Sequence, residues 1–374
     1  MSAILPGATV GILGGGQLGR MTAMAARSLG YHLMALDPDP SCAARFVVER
    51  CFTAQFDDEK AAAEMARGCA VVTLEIEKVS LAALEAVARV TPMRPGAHVL
   101  AVVQDRSRQK SWLAERGFPL GPYRDAASAE DLADAARAFG TVYAKLNHGG
   151  YDGRGQFVLR SPGQAAEGWA ELGGPSVVEQ ALDLAAEISV LVARRPGGQM
   201  ATYPAALNHH EERILAWSVM PAPVPDGVAA RAAAIARAIA EKIDVVGLLA
   251  VEMFLTRGGE LFVNELAPRP HNSFHATELA CATSQFEQAV RAVCDLPLGS
   301  VELLRPAAIA NLLGDLWLAK PPPFDEALAL PGVRLHLYGK RVARPGRKMG
   351  HLSATGATPE EAVVRVKEAR ARLG

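Results

Sequence analysis

Two glutamates carry the most specific chemical signal in the chain. Glu252 and Glu265 lie in β-prone stretches, Leu248 to Leu255 and Leu261 to Leu266, separated by Thr256-Arg257-Gly258-Gly259-Glu260. If Gly258-Gly259 is a two-residue hairpin turn, the register places Glu252 opposite Glu265 on one sheet face, Cα atoms about 4.5 to 5.5 Å apart. Like charges so placed are destabilising until a cation neutralises them. A hard divalent ion with oxygen ligands, Mg²⁺, does this and keeps coordination positions for phosphate oxygens. A loop one residue longer would break that register and turn one acid to solvent. Directly after the second strand comes Ala267-Pro268-Arg269-Pro270-His271-Asn272-Ser273-Phe274-His275, dense in groups that bind anions or move protons. His271 and His275 have HxxxH spacing, but no Glu follows His271, so a zinc protease is a poor reading.

Glycine-rich segments supply further candidates. Gly149-Gly150-Tyr151-Asp152-Gly153-Arg154-Gly155-Gln156 follows Lys145, and such a loop can fold over a polyphosphate, offering N–H donors and positive charge together. Its alternative is an exposed hairpin loop. Gly14-x-Gly16-x-x-Gly19 follows a strand and opens a helix, and Asp37 ends the next strand where dinucleotide folds place a ribose-binding acid. The same geometry serves plain strand-turn-helix packing or a different anion at the helix start. Lys340, Arg341, Arg344, Arg347 and Lys348 crowd around Pro345-Gly346, either as a solvated face or as a grip for one phosphate monoester. No GxxxxGK[ST] and no GxSxG occurs, which excludes a P-loop and a hydrolase elbow.

The elements that must position these groups divide the chain in three. Its 374 residues, half of them apolar, predict about two to three domains. Thr9 to Leu13, His32 to Leu36 and Ala70 to Leu74 alternate with helical segments, which predicts a parallel sheet within residues 1–95. Residues 96–295 read as α+β. Antiparallel strands are expected at Val177 to Leu182, Glu187 to Arg195 and Met200 to Ala206, with capped helices at Ser128-x-x-Asp131 and Ser284-x-x-Glu287. A smaller unit, 296–374, has short strands near Ala307 to Asn311 and Leu335 to Tyr338 and a helix starting at Thr358-Pro359. The formal net charge of -1 supplies no field for nucleic acid or acidic membranes. Cys42, Cys51, Cys69, Cys281 and Cys294 form no CxxC pair, and Met1 to Val10 lacks a basic region before its apolar stretch. A reducing cytoplasm, no secretory signal and no membrane span are therefore expected.

Taken together, Gly15-Gly16-Gln17-Leu18-Gly19-Arg20-Met21, the Gly149 to Gln156 loop, Asn264 through Ser273, and Arg344-Pro345-Gly346-Arg347-Lys348 followed by Gly350-His351 resemble the ATP-grasp ligases. Within them the strings are similar to the N5-carboxyaminoimidazole ribonucleotide synthetases, in the same order over nearly the whole chain. The resemblance implies α/β and α+β architecture: an N-terminal Rossmann-like domain, a central ATP-grasp region and a small C-terminal domain. It implies ATP and Mg²⁺ as cofactors, aminoimidazole ribonucleotide and bicarbonate as substrates, and a homodimer.

Roles carry over by position. Arg106, Lys145, Gly150, Gly153, Gly155 and Gln156 would contact ATP phosphates. Glu179, Gln180, Ala181 and Leu182 would form the adenine segment and Glu187 the ribose acid, with Asn208, His210 and Asn264 nearby. Glu252 and Glu265 would hold Mg²⁺. Gln17, Leu18, Glu75, Ser273, Lys340, Arg347 and Lys348 would bind the ribonucleotide, and Tyr151, Asp152, Arg154, Arg269, His271 and Asn272 the bicarbonate and carboxyphosphate. The chain departs from the family pattern at Leu146-Asn147-His148 and at Lys78. The alternatives are a sister ligase that activates formate, an NAD-dependent oxidoreductase built on Gly14 to Gly19 and Asp37, and a nucleotide-binding regulator without turnover.

Overall fold

The computed structural model describes residues 2–149 and 155–374. The chain opens with a parallel sheet in the spatial order Arg50–Thr53, His32–Asp37, Thr9–Leu13, Val71–Leu74. The strands Thr9–Leu13, His32–Asp37 and Val71–Leu74 are apolar because both faces are covered: Val10, Ile12, Leu33, Val71 and Val72 are all 1% exposed or less. The helix Gln17–Ser28 starts directly after the glycine turn, and Glu59–Arg67 and Leu81–Ala88 are capped by the side chains of Asp58 and Ser80. Arg50–Thr53 is too polar to be read as a strand from its pattern, but it completes the edge.

The central region holds two sheets. A small antiparallel one runs Tyr123–Ala126, Ser176–Gln180, Val142–Leu146, Gln156–Leu159 and is backed by the helices Ala129–Phe139 and Ala165–Leu172. The larger sheet has nine strands and includes Leu184–Arg194, Ala206–Glu211, Ile214–Met220, Gly247–Thr256 and Leu261–Ala267. The segment expected as one strand, Met200 to Ala206, is instead the short Met200–Thr202 and, after Pro204, the start of Ala206–Glu211, since proline cannot donate to the ladder.

The C-terminal strands extend this same sheet. Ile214–Met220 pairs with Ala307–Leu313, which pairs with Lys348–Thr355, which pairs with Val333–Leu337. Lys348, part of the charged run and expected to bind the ribonucleotide, begins a buried strand. The closing helix Pro359–Ala371 packs across it, its first turn capped by Thr358. Among the described residues no helix is long and apolar enough to cross a membrane.

Candidate active site

The hairpin pairs Glu252 with Glu265, but by a different route from the expected one. The turn is not the two residues Gly258-Gly259. Thr256 N–H donates to Glu260 O at 2.9 Å, so Arg257-Gly258-Gly259 form a three-residue loop, with Gly259 at φ +82. Met253 faces Val263 and Glu252 faces Glu265, which leaves Asn264 as the extra residue of a β-bulge. The longer loop and the bulge cancel.

The two acids lie where the central sheets meet, with 24% of the Glu252 side chain and 49% of the Glu265 side chain accessible. His271 Nε2 lies 3.0 Å from Glu252 Oε1, and Asn264 Nδ2 donates to Glu252 Oε2 at 3.4 Å. Burial alone would raise Glu252, but the His271 contact and the charges of His271, His210 and Arg269 outweigh it and hold the carboxyl at about 2. Glu265 moves the other way. Burial and the Glu252 charge raise it, against the pull of Arg106, whose Nη2 is 3.8 Å from Oε2. Paired carboxylates beside a bulge asparagine form a hard oxygen donor set, which fits Mg²⁺.

Cations line the facing wall. Lys145 Nζ donates to Glu179 Oε2 at 3.1 Å and to Asn264 Oδ1 at 3.2 Å, bridging the two sheets. Lys110 Nζ lies 3.5 Å from Glu179 Oε1, so the largely buried Glu179 carboxylate anchors two lysines. Burial opposes the Glu179 charge, but the two lysines prevail and hold it below its ordinary value. Sequence reading missed Lys110. Its signal was one helical turn of spacing from Arg106, on the helix Arg106–Glu115. Arg106 Nη1 donates to Leu146 O at 2.8 Å, and Gln156 pairs with Lys145 across the hairpin that carries Gly149 and Gly155. Gly150, Tyr151, Asp152, Gly153 and Arg154 lie outside the described residues. The divergent His148 contacts the start of the helix Arg106–Glu115, with Nε2 3.0 Å from Asp105 Oδ2.

Beyond Glu179, Gln180 N–H donates to Pro122 O at 3.0 Å and Ala181 N–H to Thr141 O at 2.9 Å, which holds the segment running to Leu182. Glu187 Oε2 lies 3.0 Å from His210 Nδ1, and Asn208 Nδ2 donates to Ser189 Oγ at 2.7 Å. Asn208 Oδ1 is buried without a partner among the described residues. On the other side of Glu252, Arg269 Nε sits 2.7 Å from Glu77 Oε1, a second residue that pattern reading passed over. Ser273 is 1% exposed and its carbonyl accepts from Ser218 Oγ at 3.0 Å, which seats the turn carrying His271 and Asn272.

The glycine turn is occupied by the protein's own acids. Gly16 N–H donates to Glu75 Oε1 at 2.6 Å, Gly19 N–H to Oε2 at 2.9 Å, and Gly15 N–H to Asp37 Oδ2 at 2.7 Å. A Cβ on Gly16 would stand 2.5 Å from Glu75 Oε1 and one on Gly19 2.6 Å from Gly14 O. The glycines therefore admit Glu75 to the helix start. Asp37 gives its second oxygen to Asp39 N–H at 2.8 Å, and with the Gly15, Gly16 and Gly19 N–H groups already donated to Asp37 and Glu75 the turn does not offer them to a dinucleotide pyrophosphate. Burial outweighs the two N–H bonds and pushes Glu75 up to about 7.

The basic loop closes over this turn. Arg341 lies 5.9 Å from the Phe46 ring centroid, and a Cβ on Gly339 would be 3.7 Å from Arg20 Nη1. Lys340 Nζ donates to Lys348 O and Arg347 Nη1 to Val342 O, both at 2.7 Å. Leu18 is buried against Met21, Phe286 and Tyr338, beside the partly exposed Gln17. Glu278, His336 and His351 bring ligand atoms within 4.8 Å of one another. The His336 and His351 rings are stacked at 4.6 Å and 5°, however, so their lone pairs lie in parallel planes and do not converge on one ion.

Comparison with known proteins agrees with this geometry. Residues 7–104 match the ribonucleotide synthetase preATP-grasp domain, 111–286 the ATP-grasp domain, and 307–365 the phosphoribosylaminoimidazole carboxylase C-terminal domain. The chain is 40% identical over 352 residues to the N5-carboxyaminoimidazole ribonucleotide synthase of Bacillus subtilis, covering 94% of this chain and 92% of that protein. The chain belongs to the N5-carboxyaminoimidazole ribonucleotide synthase family. Its fold superposes on the ADP complex of such a synthetase with a TM-score of 0.93 at 38% identity, covering 99% of this chain and 98% of the other. The Aspergillus clavatus synthase in complex with ADP and 5-aminoimidazole ribonucleotide matches with a TM-score of 0.90 at 31% identity, covering 98% of each chain. Membership in this family makes the chain an ATP-grasp ligase and sets aside the oxidoreductase and the non-catalytic regulator.

Proposed function

We propose that the protein carboxylates the exocyclic amine of 5-aminoimidazole ribonucleotide, taking carbon from bicarbonate and consuming ATP. The observation that carries this reading is the facing pair Glu252 and Glu265, set between the Lys145–Glu179–Lys110 cluster and the Arg269-Pro270-His271-Asn272 segment. A nucleotide tail and a small anion would meet there.

Bicarbonate is a poor electrophile because its carbonyl is already anionic. One of its oxygens attacks the γ-phosphorus of ATP, ADP leaves, and carboxyphosphate forms. Carboxyphosphate breaks into CO₂ and phosphate. The amine nitrogen attacks the CO₂ carbon and loses a proton, giving N5-carboxyaminoimidazole ribonucleotide. Mg²⁺ held by Glu252 and Glu265 would neutralise the phosphates and orient them. Phosphoryl transfer asks for positioning and charge more than covalent help, and Lys145 and Arg106 supply positive charge at the phosphates. The ribose end of ATP falls to Glu187, with Asn208 and His210 beside it, and the adenine end to Glu179 through Leu182.

Arg269 and Asn272, with Tyr151, Asp152 and Arg154 from the glycine loop, meet bicarbonate and carboxyphosphate. Gln17, Leu18, Glu75, Ser273, Lys340, Arg347 and Lys348 hold the ribonucleotide. His271 takes the amine's proton. Its Nδ1 is buried without a partner among the described residues while Nε2 is held at Glu252, which supports the assignment. By this reading residues 1–95 serve the ribonucleotide, 96–295 the ATP, and 296–374 close the phosphate pocket. The proposed form is a cytoplasmic homodimer.

The test is ADP formation with ATP, Mg²⁺, bicarbonate and aminoimidazole ribonucleotide, each omitted in turn. All four should be needed. ADP production that ignores bicarbonate but follows added formate would move the assignment to the sister ligases.

A further inference from the structure

A chain of hydrogen bonds under the His271-Asn272 segment has a polarity that can be read without ambiguity, because it starts from the backbone. Gln285, the first residue of the helix Gln285–Val293, is fully buried. His271 N–H donates to its Oε1 at 2.8 Å and its Nε2 donates to His271 O at 2.9 Å, so the amide can face only one way. The second hydrogen on Nε2 points at His275 Nδ1, 3.1 Å away. That nitrogen must accept, which puts the ring proton on His275 Nε2. Nε2 lies 3.1 Å from Asn272 Oδ1 and must donate to it. Asn272 is thereby held with Oδ1 inward and Nδ2 turned away from His275.

The relay is rigid as well as polarised. His275 is fully buried and its ring is packed between His351 at 4.6 Å and Phe286 at 5.5 Å. Burial, with the charges of His336, His271 and Lys348, keeps His275 well below its ordinary pKa, so it stays neutral. Thr277 Oγ1 accepts from Gln285 N–H at 3.0 Å and donates to Phe274 O at 2.6 Å, tying both ends together. With both ring nitrogens engaged, His275 is not available as a base or a ligand.

We propose that Gln285 and His275 are positioning residues: they fix the Asn272 amide so that it offers N–H, and not C=O, to the carboxyphosphate site. This rests on the assignment of Asn272 to that site given above. An anion is held by a donor and repelled by an acceptor, so reversing the amide would act on bicarbonate and leave ATP binding largely alone.

Gln285→Glu tests it. The carboxylate still accepts from His271 N–H but cannot donate to His275. The His275 proton then moves to Nδ1, Nε2 becomes an acceptor, and Asn272 turns Oδ1 outward. In ¹⁵N-histidine-labelled full-length protein, His275 should read as the Nε2–H tautomer in the wild type and as Nδ1–H in the variant. The KM for bicarbonate should rise about tenfold or more while the KM for ATP stays within about twofold. His275→Phe keeps the ring stack but carries no relay. It should also raise the bicarbonate KM, by less, which covers the case in which Gln285→Glu does not fold. An unchanged His275 tautomer in Gln285→Glu, or equal losses for all three substrates in both variants, overturns the proposal. A reversed tautomer with unaltered bicarbonate kinetics overturns the placement of Asn272 at the carboxyphosphate site and leaves only the structural relay.

Discussion

The paired acids should respond to neutralisation with opposite changes in stability and the same change in activity. Glu252 is held at about 2 against an ordinary 4.5, which at about 1.4 kcal/mol per pH unit corresponds to about 3 to 4 kcal/mol favouring its charge. Solvent reaches 24% of the side chain, and screening brings the expected cost of Glu252→Gln to about 2 kcal/mol at neutral pH. Because its folded pKa is depressed, that stabilisation is present above the ordinary value and is lost as pH falls toward 2. Glu265 is raised by burial and by its neighbour. At the ~5 to 6 Å ordinary for side chains facing each other across paired strands, two charges repel by about 3 kcal/mol at an effective dielectric near 20. With 49% of the Glu265 side chain accessible, screening and the lost Arg106 attraction leave a gain of about 0.5 to 1 kcal/mol for Glu265→Gln. A raised pKa gives the reverse pH course: the wild-type penalty is absent at low pH, grows as Glu265 ionises, and so the variant's gain appears only as pH rises. The assay is urea unfolding of wild type and both variants in EDTA, followed by ADP-forming kinetics with Mg²⁺-ATP. Both variants should lose about a thousandfold or more in kcat/KM, ~4 kcal/mol of transition-state stabilisation. Stability changes of the same sign, or activity within tenfold of wild type, would refute the reasoning.

The glycine turn makes a second test. Gly16→Ala drives a methyl into the Glu75 carboxylate and should be partly rescued by Glu75→Ala, whereas Gly19→Ala meets the Gly14 carbonyl and should not be; a thermal-denaturation cycle on the two pairs reads the difference. Lys110→Met removes one of the two cations on buried Glu179 and should destabilise by about 3 kcal/mol in urea unfolding. A loss under about 1 kcal/mol would mean that Lys145 alone satisfies that carboxylate.

How far the sequence led depends on the kind of feature. Alternation and capping residues place the parallel strands, the hairpin and the helix starts at Ser128, Ser284 and Thr358 close to where they lie, because those signals are local. The facing of Glu252 and Glu265 is legible, yet the assumed turn is one residue short, and the bulge at Asn264 restores the register. Turn length and bulge are set jointly by packing on the adjoining strand Leu184–Arg194, which no window of the hairpin contains. Glu75 could be singled out, but not its insertion into the glycine turn, since that joins residues 59 positions apart. The roles of Lys110, Glu77 and Gln285 could not be read from their local sequence. Each is defined by a partner elsewhere in the chain: Glu179, Arg269 and the His271 backbone. The basic run was visible as charge, while its place as the entry to a buried sheet strand was not.

The chemistry can be followed by a label in bicarbonate oxygen. When ¹⁸O-bicarbonate is supplied with ATP, Mg²⁺ and aminoimidazole ribonucleotide, phosphorylation of bicarbonate requires one labelled oxygen in the phosphate released, seen as an isotope shift in its ³¹P signal. Phosphate free of label, formed alongside carboxylated product, would contradict activation of bicarbonate by phosphorylation.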